Sequence, residues 1–258
     1  MTRRPGFPAR LDSPSTSPQP VQRASVARPG TPAVAPPPPQ GVGLVSEAVR
    51  TRMVEKIAAQ GVRDPRVLSA LGRVERHRFV DTALANQAYE DTSLPIGLGQ
   101  TISKPSVVAR MVELLLGATV PGARLGRILE IGTGCGYQVA VLSQVATEVY
   151  SIERLRGLHD KARDNLRPLR LPNVHLLFGD GMEGFAKGAP YAGIIAAAGG
   201  DAVPQAWIDQ LAIGGRIIAP TVVPGGKQSL VLLEKTPREL RRSILEAVHF
   251  VPLKSGIA

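Results

Sequence analysis

The segment Arg127-Ile-Leu-Glu-Ile-Gly-Thr-Gly-Cys-Gly-Tyr137 decides the fold class of this 258-residue chain. It begins as a short apolar strand and passes into a loop in which every second residue is glycine. An apolar helix is then expected from Tyr137 to Ala146. Glycine lets the backbone approach a ligand closely, and the start of a helix offers unpaired N–H groups. The segment therefore predicts a nucleotide-type binding site at the carboxyl end of a strand.

Strands and helical segments alternate on both sides of this segment, which predicts an α/β fold with a doubly wound, mostly parallel sheet. A polar, glycine-containing loop is expected over residues 86–104. The expected helices cover residues 45–60, 64–74, 105–115 and 137–146. The expected strands after the glycine loop cover residues 148–153, 174–178, 191–198, 216–221, 229–234 and 247–253. Because the last two strands lack a clear crossover helix, we expect an antiparallel edge there.

Two kinds of cofactor use a glycine loop of this type. Dinucleotides need Gly-x-Gly-x-x-Gly/Ala, and Tyr137 at the sixth position disfavours a nicotinamide oxidoreductase. S-adenosylmethionine has no pyrophosphate and tolerates Gly-x-Gly-x-Gly. Glu153 ends the next strand, where a carboxylate can accept hydrogen bonds from ribose hydroxyls, and Asp180 follows the third strand, where it could meet the adenine amino group. The set favours a methyl-donor site, although both acids could instead cap the helices that follow them.

Composition narrows the functional classes. Aromatic residues make up only 4% of the chain, which argues against a single-stranded nucleic-acid binder built on stacking. The single cysteine, Cys135, excludes an intramolecular disulfide and a multi-cysteine zinc site, and it suits a reducing cytoplasm. No apolar run is long enough to span a membrane. No local metal-binding pair is formed by the four histidines, which are His77, His159, His175 and His249.

A family resemblance becomes specific just ahead of the glycine loop. The segment Leu94-Pro-Ile-Gly-Leu-Gly-Gln-Thr-Ile-Ser-Lys-Pro105 closely resembles the signature of protein-L-isoaspartate O-methyltransferases. The likeness extends over about residues 45–255, and its Gly-Gln-Thr-Ile-Ser-x-Pro string is too long for a chance match. Five shorter segments also resemble the family: Arg76 to Val80, Glu130 to Tyr137, Gly179 to Gly181, Gly214 to Arg216 and Val251 to Leu253.

The resemblance implies a Rossmann-like S-adenosylmethionine-dependent methyltransferase fold. It also implies methyl transfer to the free α-carboxylate of L-isoaspartyl residues in damaged proteins and peptides, which starts repair through a succinimide and leaves S-adenosyl-L-homocysteine. No metal, specific nucleic acid or membrane is implied, and we expect a cytoplasmic monomer. The implied catalytic residue is Ser103. The implied cofactor-binding residues are Glu130, Gly132, Gly134, Glu153, Asp180 and Gly181. The implied substrate-binding residues are Ile96, Gln100, Thr101, Val251 and Leu253.

Such a reaction makes few demands on a protein. A carboxylate with a pKa of about 4 is ionised at neutral pH and needs no general base. What remains is alignment and partial desolvation, to which the Ser103 hydroxyl and backbone N–H groups of residues 93–104 could contribute. Ser103 could instead cap the helix that begins at Pro105. Cys135, in the glycine loop, could be a reactive thiol or a small loop residue.

The chain departs from the family at the fourth strand and its tip. The family usually has Tyr-Asp before the apolar run, whereas this chain has Tyr191-Ala-Gly193, and the tip at residues 196–200 lacks the usual threonine. A polar contact from this tip is therefore in doubt. A silent donor-binding module and a nucleic-acid methyltransferase stay open, but the Asn/Asp-Pro-Pro-aromatic string of base N-methylation is absent from the sequence.

The chain is expected to divide into a tail and one domain. Residues 1–42 are predicted to be a disordered Pro/Arg-rich tail, and residues 43–258 a methyltransferase domain with an N-terminal helical cap. The first 40 residues hold 11 of the 23 prolines and cannot bury enough apolar surface to offset their ordering entropy. An export signal at Arg3–Arg4 is disfavoured because no apolar segment follows it.

Overall fold

The computed structural model describes residues 47–120 and 122–258. The predicted tail, residues 1–42, lies outside these residues. The described α-helices are α1 (Glu47–Ala59), α2 (Pro65–Arg73), α3 (Pro105–Leu116), α4 (Tyr137–Val145), α5 (Arg156–Leu166) and α6 (Gln205–Gln210). The described strands are β1 (Leu94–Gly97), β2 (Gln100–Ile102), β3 (Leu125–Ile131), β4 (Ala146–Glu153), β5 (Val174–Phe178), β6 (Tyr191–Ala196), β7 (Leu211–Val222), β8 (Gln228–Lys235) and β9 (Leu240–Ala247).

The central sheet has the strand order β5-β4-β3-β6-β7-β8-β9. Strands β3 to β7 pair in parallel, whereas β8 and β9 add an antiparallel edge. The chain enters the sheet at β3, runs outward to β5 and returns on the other side at β6. This change of direction opens a crevice at the carboxyl ends of β3 and β6. The predicted doubly wound sheet with an antiparallel edge is confirmed.

Strand β3 lies in the centre of the sheet and is covered on both faces, which explains why the adjacent residues Ile128 and Leu129 are both apolar and buried. Ile128 of β3 packs into a cluster with α1 to α5, and its neighbour Leu129 packs into a second cluster that contains Trp207 of α6. On the first face α1 and α2 contact α3, and α2 also contacts α4. Asp64 caps α2 as its sequence predicted, because its carboxylate accepts the Arg66 N–H at 2.9 Å. None of the described helices is long and apolar enough to cross a bilayer.

Two sequence predictions about element positions were wrong. The last strand is β9 rather than residues 247–253, because β9 is an exposed edge strand whose charged residues conceal its periodicity. Residues 247–253 are largely irregular and follow β9 back toward the crevice, where Pro252 bridges Gly199. The predicted loop at 86–104 also contains the antiparallel hairpin β1–β2. Its turn is formed by Leu98 and Gly99, both with positive φ.

Candidate active site

A cavity of about 440 Å³ lies in the crevice over the carboxyl ends of β3 and β4. The hairpin β1–β2, the tip of β6, the first turns of α4 and α5 and residues 251–254 also contribute to its wall. Of the predicted site residues, Glu130 and Asp180 do not line this cavity. The others all do, and they are Ile96, Gln100, Thr101, Ser103, Gly132, Gly134, Glu153, Gly181, Val251 and Leu253.

The glycine loop between β3 and α4 adopts a conformation that requires glycine. Gly132, Gly134 and Gly136 have φ values of 89°, 57° and 92°, in the left-handed region that other residues rarely adopt. A Cβ atom on Gly134 would lie 3.3 Å from the Ile96 Cδ1 atom, so the loop and the hairpin approach closely. Gly132 and Gly134 line the cavity with backbone, and Thr133 and Cys135 of the same loop also contribute to its wall.

Glu153 is held beside this loop at the end of β4. Its side chain is buried, and its Oε2 atom accepts the Gly134 N–H at 2.9 Å while Oε1 accepts the Leu155 N–H at 2.9 Å. Leu155 precedes α5, whose first turn receives no side-chain cap. Glu153 thus links the glycine loop to the β4–α5 connection and lines the cavity at the same time.

Both carboxylate oxygens of Asp180 accept hydrogen bonds from backbone N–H groups. Its Oδ1 atom accepts the Met182 N–H at 2.8 Å, so it caps the short 3₁₀ helix Gly181–Glu183. Its Oδ2 atom accepts the Gly256 N–H at 2.5 Å. The capping alternative considered for Asp180 is therefore realised. Its neighbour Gly181 lines the cavity, and a Cβ atom there would lie 2.5 Å from the Ile131 Cγ2 atom, so this position favours glycine.

Glu130 lies behind the glycine loop rather than in the cavity. It pairs with Ser151 in the β3–β4 register, and the fully buried carboxyl group accepts the Ser151 hydroxyl. The Ser151 and Thr133 hydroxyls are 2.6 Å apart, which connects Glu130 to the loop. Burial raises the pKa of Glu130 to about 8, so the group is mainly protonated at neutral pH. Glu130 supports the loop and has no direct access to a bound ligand.

Ser103 lies between the hairpin and α3, and its side chain lines the cavity. The alternative that Ser103 caps α3 was wrong. Asp91 does this instead, because its carboxylate accepts the Ser106 N–H at 2.9 Å and the Ser106 hydroxyl at 2.8 Å. Among the described residues, none forms a hydrogen bond with the Ser103 hydroxyl, so it is available to a ligand.

Arg76 is a structural partner of this loop that the sequence analysis did not single out. Its side chain is fully buried, and it donates hydrogen bonds of 2.8 Å to the carbonyl groups of Ala88 and Ser103. The guanidinium carbon lies 4.7 Å from the centre of the Tyr137 ring, at the start of α4. Arg76 therefore connects the Ser103 segment to the helix that follows the glycine loop. The family resemblance of the segment from Arg76 to Val80 marks this region in the sequence, but it does not reveal that Arg76 binds these two carbonyl groups.

The tip of β6 has no polar side chain, as its sequence predicted, but its backbone is paired. Gly199 donates to the Val251 carbonyl at 2.8 Å, and Leu253 donates to the Gly199 carbonyl at 2.8 Å. The chain then crosses the ends of β4 and β5, where the Arg154 side chain donates to the Gly256 carbonyl at 2.8 Å. These bonds fix the C-terminal segment as one wall of the cavity.

The described residues offer no additional nucleophile or metal site in the crevice. Cys135 is buried, and burial raises its pKa, which keeps the thiol protonated and unreactive. No group of three or more His, Cys, Asp or Glu side chains in residues 47–120 and 122–258 is arranged to hold a metal ion.

The sheet order, the glycine loop after β3 and the buried acid at the end of β4 define a Rossmann-like S-adenosylmethionine-dependent methyltransferase. A family model described as protein-L-isoaspartate(D-aspartate) O-methyltransferase matches residues 48–258. The chain belongs to this family.

Individual relatives agree with this assignment. A protein-L-isoaspartate O-methyltransferase of Methylibium petroleiphilum is 57% identical in an alignment of 266 positions, which covers 98% of this chain and 96% of the relative. One of Ralstonia nicotianae is 59% identical over 227 residues, which cover 83% and 71% of the two chains.

Solved structures give the same fold. A structure described as a protein-L-isoaspartate O-methyltransferase aligns with a TM-score of 0.71 and 28% identity, covering 81% of this chain and 67% of its own. A Plasmodium falciparum protein in complex with S-adenosyl-L-homocysteine aligns with a TM-score of 0.68 and 22% identity, covering 80% and 98%.

Proposed function

We propose that this chain transfers a methyl group from S-adenosylmethionine to the free α-carboxylate of L-isoaspartyl residues in damaged proteins and peptides. One observation carries the proposal: Ser103, the glycine loop and Glu153 line the same cavity. The Ser103 hydroxyl has no hydrogen-bond partner among the described residues. Membership of the family agrees with this chemistry.

The residues present fit the methyl donor. A cavity of about 440 Å³ lies within the range of about 300–1,000 Å³ that is usual for small ligands. Gly132, Gly134 and Gly181 all line this cavity, and at Gly181 a Cβ atom would lie 2.5 Å from the Ile131 side chain. We assign Glu153 to the ribose hydroxyls. Asp180, whose carboxylate accepts the Met182 and Gly256 N–H groups, is assigned to the adenine side of the site, next to Gly181 in the cavity wall.

The remaining task of the protein is to place and desolvate the carboxylate. When bound, S-adenosylmethionine supplies an electrophilic methyl group on a positively charged sulfur. A carboxylate with an ordinary pKa of about 4 is already ionised, so no residue has to remove a proton. The Ser103 hydroxyl donates one hydrogen bond to the carboxylate, which orients it and leaves its second oxygen free to attack.

The apolar part of the wall contributes to the rate. Opposite charges disappear as the methyl group moves from sulfur to oxygen, so a less polar cavity penalises the reactants more than the transition state. Ile96, Val251 and Leu253 supply apolar surface next to Ser103, and Gln100 and Thr101 supply polar groups on β2. We assign these five residues to the isoaspartyl substrate. The methyl ester carries a better leaving group than the free carboxylate does, so the neighbouring backbone nitrogen can attack the ester carbon, release methanol and close a succinimide without the enzyme.

We also propose that the enzyme is a cytoplasmic monomer. Its single cysteine is buried and needs no oxidising compartment. The edge strand β9 carries Arg241, Arg242 and Glu246, and charged residues on an edge strand oppose pairing with a second chain.

One experiment separates the candidate functions. Calorimetry measures binding of S-adenosylmethionine, and transfer of a radiolabelled methyl group is measured with an isoaspartyl peptide, the same peptide containing normal aspartate, and RNA. We expect binding and incorporation into the isoaspartyl peptide alone. Binding without any incorporation would identify a silent donor-binding module, and incorporation into RNA alone would identify a nucleic-acid methyltransferase.

A further inference from the structure

A second cavity of about 340 Å³ adjoins the first one on the side of α3. The two cavities share Thr101, Ser103, Ala197 and Val251 in their walls. A substrate whose carboxylate reaches Ser103 can therefore extend its flanking residues into the second cavity without leaving the surface.

The second cavity has an apolar wall and a basic rim. Val107 and Phe250 contribute apolar surface, whereas the exposed side chains of Lys104 and His249 supply a cation and an imidazole. No aspartate or glutamate is among the residues that line it. In the part of the chain that the structure describes, no carboxylate lies within 4.0 Å of the Lys104 ammonium group. The nearby Asp91 is engaged by Ser106 at the start of α3.

We propose that this second cavity binds a residue flanking the isoaspartate, and that Lys104 selects an acidic side chain there. The inference rests on the proposed function and specifies its substrate class. Glutamate fits both features, because its methylene groups can pack on Val107 and Phe250 while its carboxylate approaches Lys104. Lysine at the same position would place two cations together, which is unfavourable.

The test uses two series of short peptides that each contain one L-isoaspartyl residue. In one series the residue before it is Glu, Gln or Lys, and in the other the residue after it is varied in the same way. The wild-type enzyme, Lys104→Gln, Lys104→Glu and Lys187→Gln are compared by kcat/KM. Lys187 is the matched control, because it is exposed and precedes the amino end of β6, whereas the cavities lie at the carboxyl ends of the parallel strands. Thermal unfolding of each variant checks that it is folded.

In at least one series, we expect the wild-type enzyme to prefer Glu over Gln by about two- to fivefold at low salt, with Lys the poorest. About 0.5 M salt should reduce the preference, because Lys104 is exposed. Lys104→Gln should abolish it, Lys104→Glu should reverse it, and Lys187→Gln should keep it.

Equal kcat/KM for Glu and Lys peptides in both series, or a preference that survives Lys104→Gln, would overturn the proposal and leave the proposed function intact. A failure to methylate any isoaspartyl peptide would refute the proposed function itself, and this subsite with it.

Discussion

The glycine loop and the Ser103 segment are two halves of one site, and they are held in place differently. The glycine loop is fixed by Glu153 and by the Glu130–Ser151 pair, which come from strands β3 and β4 immediately around it. Ser103 is fixed by Arg76 and by the Asp91 cap on α3, both of which come from the helical region before the sheet. The donor half is thus built by one continuous strand–loop–helix–strand segment from β3 to β4, whereas the acceptor half depends on contacts between segments farther apart in the sequence.

Arg76→Met should disrupt the packing of the Ser103 segment, and we expect it to have the largest effect of the variants considered. The substitution keeps an apolar contact with Tyr137 but leaves the Ala88 and Ser103 carbonyl groups without their donor. We expect a loss of about 3–5 kcal/mol in the free energy of unfolding, measured by urea denaturation. The control is Arg78→Met, which removes an exposed ion pair with Glu75 and should cost less than about 1 kcal/mol. Similar losses in both variants would contradict the role of Arg76.

Glu130→Gln tests whether the buried Glu130 carboxyl group that supports the glycine loop is protonated, through the pH dependence of the free energy of unfolding. The folded-state pKa of about 8 lies above the ordinary value of 4.5, so the folded state binds more protons between these values. The free energy of unfolding contributed by Glu130 is therefore greatest at low pH and falls as pH rises toward 8.

Glutamine cannot ionise, so the variant should become more stable relative to the wild type with increasing pH. The slope should reach up to about 1.4 kcal/mol per pH unit. Denaturation curves at several pH values from 5 to 8 measure it, and a stability difference that does not change with pH would contradict a buried, protonated Glu130.

Glu153→Ala should weaken donor binding without involving the acceptor half. The variant loses the assigned ribose contacts and the acceptor for the Gly134 N–H, so we expect the Kd for S-adenosylmethionine to rise about 10- to 100-fold in calorimetry. Glu148→Ala is the matched control, since Glu148 belongs to the same strand but lies at its opposite end. An unchanged Kd for Glu153→Ala would remove Glu153 from the donor site.

Ser103→Ala gives the smallest and most selective effect. Loss of one hydrogen bond to the carboxylate should lower kcat/KM for an isoaspartyl peptide about five- to tenfold and leave the donor Kd unchanged. Ser243→Ala removes an exposed hydroxyl from β9 and should change neither quantity. Turnover at the wild-type level would exclude Ser103 from the catalytic site.

The same contrast explains how far the sequence could predict the molecule. The glycine loop and Glu153 follow from strand ends and glycine spacing, because adjacent parallel strands bring their ends together. The position of Ser103 in the cavity was expected from the family resemblance rather than from spacing. Strand β9 was missed because an exposed edge strand loses the apolar alternation that marks a half-buried one.

Contacts between residues that are far apart in the sequence could not be predicted from local sequence patterns. Asp91 caps a helix that begins 14 residues later, so no local capping pattern is present. Glu130 was expected in the donor site because it belongs to the motif, but its side chain points to Ser151. The backbone pairing of the β6 tip with residues 251–253 also has no side-chain signature.

The network around Arg76 has a consequence for how this sequence can vary. Its acceptors at Ala88 and Ser103 are main-chain carbonyl groups, which every amino acid possesses. Replacement of the Ala88 side chain would keep its acceptor, whereas no other residue type supplies a planar cation with five N–H donors. The hydrogen-bonding specificity of this link therefore resides in the Arg76 side chain, whereas Ala88 is constrained by its burial in the core and Ser103 by its assigned contact with the substrate.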